Sequence, residues 1–582
     1  MNSLKKIYSI LTTDERKYVK ILFLILIIVA LADMLGVASI MPFVGVLSDP
    51  SIIESNVIIN KIFQYSNILG VENSQQFLFL LGISVFIVLT ISLSLKSLST
   101  YLQLRFIARC EYSISKRLVS GYLNKPYDWF LNNHSAKIGK SILSEVGLVV
   151  GQAIRPMITL ISNLLISLTL IALLIIVDIQ LALTVIFVLV SIYILVFILA
   201  KKFLAKFSNE RADADKKRYI SLSESFGAIK EIKMGGLEEL FIDRFSKHAR
   251  TFASNVASAN IIAQLPRYFL ELLVFGGMLL IAIFLIKDDK SFVESTPILA
   301  LYAYAGYRLL PSLQNIYAAI TQLKFVSNAL NNLYKNISNL NKISIENNSN
   351  TFHLNKSIVI KNVCYNYTGS SSTALKNINL NIPAYSTVGF VGETGSGKST
   401  LLDIILCLIN PQEGTLEIDG KIISDSNKRS WQNSIGFVPQ KIFLTDETIA
   451  QNIAFGVKPN KIKQIDVENA AKMANLHNFV NNELPLKYET TIGERGVRLS
   501  GGQQQRIGIA RALYHNPQVL ILDEATSALD SNTEDAVMQA LNNINKKITV
   551  IMVAHRLSTL KNSNLIYILE KGEIKKKLLL RN

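Results

Sequence analysis

Six stretches of this 582-residue chain are apolar for long enough to cross a bilayer, and they constrain the fold more than any other feature. A span needs about 20 consecutive apolar residues. Lipid offers the backbone no hydrogen-bond partners, so such runs must be helical. They lie at about 19–42, 76–98, 155–177, 179–200, 267–286 and 295–325. The first run is too long for a signal-peptide core and lacks a small-residue cleavage site, so it reads as a retained helix. From about residue 355 the pattern changes to short strand-like and helix-like segments, as in a soluble α/β domain. The segment "YKNISNLNKISIENNSNTFHLN" between the two regions is polar and Asn-rich, and reads as a linker. The expected organisation is a transmembrane domain over 1–330, a linker over 331–354 and an α/β P-loop domain over 355–582.

Charge sets the orientation. The chain carries a formal +17 with a pI of about 9.4. That excess suits nucleic acid or anionic lipid, and the spans favour lipid, so no nucleic-acid partner is expected. The loop between the second and third runs and the stretch 201–264 are rich in Lys and Arg, whereas "KDDKSFVES" has no net basic excess. The positive-inside rule then places the N-terminus, both long loops and the C-terminal domain in the cytoplasm. Cys110, Cys364 and Cys407 form no metal-ligand spacing or disulfide framework, which fits a reducing compartment. Between the first two runs, "NVIINKIFQYSNIL" has apolar residues at helical spacing. It is either a helix lying on the outer leaflet or one packed on the span ends.

The soluble region carries the chemistry. "GETGSGKST" (Gly392, Glu393, Thr394, Gly395, Ser396, Gly397, Lys398, Ser399, Thr400) follows the apolar "TVGFV" and precedes the helix-like "LLDIILCLI". That order of strand, Gly-rich loop and helix is the context a P-loop needs. The glycines let backbone N–H groups approach phosphates, Lys398 neutralises the β- and γ-phosphates, and Ser399 is placed to ligate Mg2+. Further on, "VLILDEATSALD" is a buried strand ending in Asp523, which reaches Mg2+ through water. Glu524 follows, where a carboxylate can polarise an attacking water. ATP and Mg2+ are the expected cofactors.

"LSGGQQQR" is the discriminating motif, with Ser500, Gly501, Gly502 and Gln503 before the helix-like "RIGIARAL". With it, the C-terminal region resembles an ATP-binding cassette (ABC) domain throughout. The resemblance implies that Gln440 in "IGFVPQ" is the Q-loop residue beside metal and water, that Ser527 to Asp530 form the D-loop, that His555 in "IMVAHRLST" is the switch histidine, and that Tyr367 stacks on adenine. In that family two cassettes close head to tail around ATP, so a chain with one cassette resembles a half-transporter that works as a dimer. Glu524, His555 and the signature are intact, so a homodimer would have two competent sites. Spans preceding a cassette resemble the exporter branch: a membrane α-helical bundle of six transmembrane helices followed by the P-loop cassette, in the cytoplasmic (inner) membrane. "NKPYDWFLNNHSAKIG" and "ESFGAIKEIKMGGLEELFIDRF" match the places of the coupling helices that touch the cassettes.

Four cations lie toward the inner half of the spans: Lys96, Arg155, Arg267 and Arg308. The first three are near enough to the span ends to snorkel, and Arg267 has Glu271 four residues on as a helical partner. Arg308 is deeper, where a cation costs about 2.5–3.5 kcal/mol or more. It is expected to face a wet cavity and to find its counter-charge in the substrate. A dimer doubles the four into a ring suited to phosphate or pyrophosphate. "LPRYFLE" and "YRLLPSLQNI" resemble segments of bacterial flippases for lipid-linked oligosaccharides. The expected function is therefore ATP-driven flipping of such a polyprenyl-(pyro)phosphate glycolipid. The alternative is export of lipid A-like lipids, drugs or peptides.

Overall fold

The computed structural model describes residues 2–133, 135–287, 292–340, 352–367, 372–493, 496–525, 548–554, 560 and 563–579. The chain forms two compact units: Met1–Lys125 with Asn132–Ile343, and Pro126–Leu131 with Ser344–Asn582.

The first unit is helical. Its long helices, in chain order, are α1 (Thr13–Ala38), α2 (Ser74–Leu123), α3 (Arg155–Val177), α4 (Ile179–Gly227), α5 (Glu238–Lys287) and α6 (Phe292–Phe325). A capping box starts α1: the Glu15 N–H donates to Thr12 Oγ1 at 3.3 Å, and the Thr12 N–H donates to the Glu15 carboxylate at 2.7 Å. Each of the six apolar runs falls on helix, the first interrupted at Ser39 before a further helix, Ile40–Ser48. Among the described residues three segments are long and apolar enough to cross a membrane: Thr13–Ser48, Ser74–Leu123 and Ile138–Val177. At 1.5 Å per residue, α2 is about 75 Å long, more than twice the ~30 Å hydrocarbon core. One end must therefore project into water.

Helices α1, α3 and α6 share a core of Ala30, Val37, Ile166, Leu170, Leu174, Leu301, Ala305 and Leu309. Alanines in that seam let the backbones approach closely, as membrane helix packing requires. The short helix Val57–Ser66 packs one face on the start of α2, as the second of its two sequence readings expects. Phe63 packs edge-on against Phe77 with ring centroids 5.1 Å apart, while Val57, Ile58 and Tyr65 are exposed. Of the two expected coupling segments, Tyr127–Leu131 is a five-residue helix grouped with the second unit. The other, Ile229–Gly235, lies in the first unit and ends at Gly236 with φ 62°.

The second unit holds two sheets. Six strands run in the order β10-β9-β3-β8-β7-β6, from β3 (Thr387–Val391), β6 (Ile435–Val438), β7 (Val519–Asp523), β8 (Thr549–Val553), β9 (Leu565–Glu570) and β10 (Glu573–Leu579). All neighbours are parallel except β10 on β9. "TVGFV", "VLILD" and "TVIMV" are apolar without alternation because both faces of a central parallel strand are covered. The second sheet, β2-β1-β4-β5, is antiparallel and uses β1 (Ser357–Tyr365), β2 (Leu375–Pro383), β4 (Glu413–Ile418) and β5 (Lys421–Ile422). One core, with Phe390, Leu401 and fully buried Trp431, joins both sheets and the helix α7 (Lys398–Ile405). The other packs the helix α8 (Gly501–Leu513) on the opposite face through Ile507, Leu520 and Val550.

Candidate functional site

The loop from Gly392 to Gly397 joins β3 to α7. Gly395 and Gly397 take φ values of 82° and 101°, a region that glycine enters without strain. A Cβ on Gly392 would collide with the Leu569 carbonyl oxygen and Ser396 Oγ, so that position excludes any side chain. Lys398 is buried and folds back over the loop, donating from Nζ to the Gly392 and Glu393 carbonyls at 2.7 and 2.9 Å. Burial lowers its pKa, and the nearby Glu524 and Asp523 carboxylates oppose that shift. Ser396 Oγ is buried without a hydrogen-bond partner. Glu393, Thr394, Gly395 and Ser399 are exposed at the mouth of the loop. An ammonium resting on carbonyls, an unsatisfied hydroxyl and the N-terminus of α7 together make a cradle for an anion.

Two carboxylates face this cradle. Asp523 ends β7, and Glu524 follows at φ 50°, its N–H donating to the Val553 carbonyl at 3.1 Å. A non-glycine residue held in the left-handed region costs about 1 kcal/mol or more, and such strain collects at functional sites. Gln440 comes from the loop after β6 and donates Nε2 to Glu524 at 2.6 Å. This leaves its amide oxygen available. The Ser399 hydroxyl, the Asp523 carboxylate and the Gln440 amide oxygen are hard oxygen donors, a set that fits Mg2+.

Tyr367 donates to or accepts from Thr400 Oγ1 at 3.0 Å and meets Tyr365 edge-on at 5.1 Å, which ties it to the helix after the P-loop. Behind the loop, Asp403 on α7 was not anticipated from sequence. Its carboxyl is pushed up to about 6, by burial first and by the Asp523 charge second. The signal was present, since Asp403 is the one carboxylate in the apolar "LLDIILCLI".

Ser500 caps α8. The Gln503 N–H donates to Ser500 Oγ at 3.2 Å, and the Ser500 N–H donates to Gln503 Oε1 at 2.8 Å. Ser500 and Gly501 are exposed, and Gly502 and Gln503 partly so. The D-loop residues Ser527 to Asp530 and His555 lie outside the described residues.

The second feature is a cavity of about 360 Å3 inside the first unit, bounded by α1, α2, α3 and α6. Lys96 and Arg308 both line it, with hydroxyls and amides from Ser99, Thr100, Gln103, Thr159, Ser162, Asn163, Ser312 and Asn315. Arg155 and Arg267 are not among its lining residues. Arg155 is exposed, and Arg267 is bonded to Glu271 at 2.6 Å as its helical spacing suggested.

The expectation that Arg308 finds its counter-charge in a substrate is corrected here. Arg308 Nη1 lies 3.4 Å from Asp33 Oδ1 on α1, the two side chains being only 13% and 3% exposed. Nη2 donates to the Tyr304 hydroxyl at 3.0 Å. A carboxylate is more readily accommodated in the bundle when a cation faces it, and Asp33 is a lone acid in the apolar run 19–42. That isolation was the available signal.

These features define a nucleotide-binding P-loop unit joined to a helical membrane unit with a polar cavity. Residues 375–527 match the family model described as ABC transporter, and residues 21–305 match the ABC transporter transmembrane region. The chain belongs to the ABC transporters; it is a membrane protein whose C-terminal unit is an ABC ATPase domain, which uses ATP. It is 29% identical over 472 residues to the ATP-dependent lipid A-core flippase of Haemophilus influenzae, covering 80% of this chain and 79% of that one. It is 46% identical over 217 residues to a putative multidrug export ATP-binding/permease protein of Staphylococcus aureus, a match spanning 37% of each chain. The fold is that of a bacterial Atm1-family ABC exporter solved with ATP bound: TM-score 0.75, 22% identity, 97% of this chain and 95% of that one.

Proposed function

We propose that the protein is an ATP-driven exporter that works as a homodimer in the cytoplasmic membrane and flips a lipid-linked oligosaccharide or related polyprenyl-(pyro)phosphate glycolipid. The observation that carries the substrate class is the cavity. Two cations among hydroxyls and amides suit a phosphate carrying sugars, whereas an apolar drug would leave those polar groups unpaired.

At the cassette, Lys398 exchanges its loop carbonyls for phosphate oxygens, and the N–H groups of the loop hold the phosphates. Glu524, fixed by Gln440 and by its backbone bond to Val553, polarises the attacking water. Ser399, Asp523 and Gln440 would hold Mg2+, which would supply neutralisation of the phosphate charge. His555 completes the site as the switch residue. Ser500 and the glycines after it meet the nucleotide of the partner subunit, which suits their exposure. Arg155 and Arg267 line the path at the membrane boundary, outside the cavity.

A second reading, transport of a lipid A-like lipid, is favoured by the match to the lipid A-core flippase over most of both chains. Such a lipid also carries phosphates and sugars. The test is ATPase stimulation in proteoliposomes by a polyprenyl-pyrophosphate oligosaccharide, lipid A, a peptide and a cationic drug. Stimulation by the polyprenyl glycolipid alone supports the main reading. Stimulation by lipid A alone supports the second, and by the drug or peptide alone rejects both.

A further inference from the structure

Arg308 is the most deeply placed cation of the cavity, and its own contacts leave it incompletely used. Its guanidinium has five N–H donors. Nη2 meets Tyr304, and Nη1 meets Asp33 at 3.4 Å, long for a charge-assisted hydrogen bond. Arg308 Nε and Asp33 Oδ2 are both buried with no hydrogen-bond partner. Ser92 Oγ approaches Asp33 Oδ1 only at 3.5 Å. A buried pair built for stability alone would meet in the bidentate geometry that a guanidinium and a carboxylate favour. This pair is loose, it opens on a polar cavity through Arg308, and the carboxylate itself is not among the lining residues.

We propose that Asp33 is the resident counterion of Arg308 and sets which anions the cavity accepts. This rests on the anion-binding reading of the cavity given above. With Asp33 in place, one carboxylate charge is set against the guanidinium, and the cavity shows an incoming group little more than the charge of Lys96. A monoanion gains little by competing with a carboxylate already present. A pyrophosphate ester brings more than one negative charge and enough oxygens to engage the unused donors, so it out-competes Asp33. The acid thus works as a repulsive element that rejects the abundant monoanionic phospholipids of the surrounding membrane.

The test uses full-length protein in nanodiscs, with ADP saturating the cassette so that only the membrane cavity reads out. The probe is radiolabelled farnesyl pyrophosphate, with phosphatidylglycerol as the monoanionic competitor. Wild type is expected to bind the pyrophosphate and resist the competitor. Asp33→Asn should bind it about tenfold more tightly and become sensitive to phosphatidylglycerol. Asp33→Glu keeps the charge and extends the carboxylate onto the guanidinium, so it should bind severalfold more weakly. The neutral pair Asp33→Asn/Arg308→Gln, which leaves no orphan charge, should lose binding by about tenfold or more relative to wild type. If that pair binds as wild type does, the anion reading of the cavity fails. If the pair loses binding but Asp33→Asn neither tightens nor loses discrimination, the cavity reading stands and the counterion role is overturned. Should Asp33→Asn not insert, Asp33→Glu decides, and wild-type affinity there overturns the proposal.

Discussion

Gln440 donates its side-chain amide to the Glu524 carboxylate at 2.6 Å, joining the loop after β6 to the end of β7. The bond fixes one carboxylate oxygen of a residue whose backbone is left-handed, with φ 50°. Removing the carboxylate should leave ATP binding intact and remove the polarisation of water. Glu524→Gln is expected to slow hydrolysis by about 100-fold or more, and Gln440→Ala by about tenfold. Phosphate release and nucleotide binding on the same detergent-purified protein check this. Wild-type turnover in Glu524→Gln would remove the residue from its assigned role.

The exposed cap of α8 yields a prediction about assembly. In a background with Cys110, Cys364 and Cys407 replaced, a Ser500→Cys, Thr394→Cys protein should crosslink between chains, more strongly with ATP. Gel mobility after oxidation reads the result. Crosslinks formed only within one chain would contradict the head-to-tail homodimer.

Breaking the Asp33–Arg308 pair from one side leaves a buried charge with no opposite partner among the described residues. Arg308→Ala should lower stability by about 3–5 kcal/mol, and the Asp33→Asn/Arg308→Gln pair should recover most of that. Thermal unfolding in detergent measures it. If the single variant is as stable as wild type, the pair contributes nothing to the bundle.

Asp403 gives a pH dependence. Its folded pKa of about 6 lies above the ordinary 3.8, so between those values the folded protein binds more protons than the unfolded chain. Stability therefore falls as pH rises through about 4 to 6, by on the order of 3 kcal/mol from this group. Asp403→Asn should remove that slope and raise stability at neutral pH. Melting temperatures of both proteins at pH 4.5 and 7.5, each within about 1 °C, check it. The same pH response in both would show that Asp403 is not the source.

Much of the cassette was legible in sequence because its chemistry is local. The P-loop needs a strand, glycines at set offsets, a lysine and a helix, all within one short stretch, and Gly392 to Thr400 carry them in order. Ser500 and Gln503 form their capping box three residues apart for the same reason. Asp523 and Glu524 are read from where a buried strand ends. Asp403 was missed because its altered carboxyl arises from packing behind the loop, and a one-dimensional pattern does not show that burial.

The bundle divides the same way. Apolar length alone required helices, since hydrocarbon leaves backbone groups no other partners. It also marked Arg308 as a charge in need of an explanation. Sequence looked for that explanation in a ligand, and for Arg267 it found Glu271 correctly, because a helical spacing of four brings the two together. Asp33 is far from Arg308 along the chain and belongs to another helix. Only the packing of α1 against α6 brings the carboxylate to the guanidinium, and no periodicity within either helix encodes which residues of two packed helices will face each other.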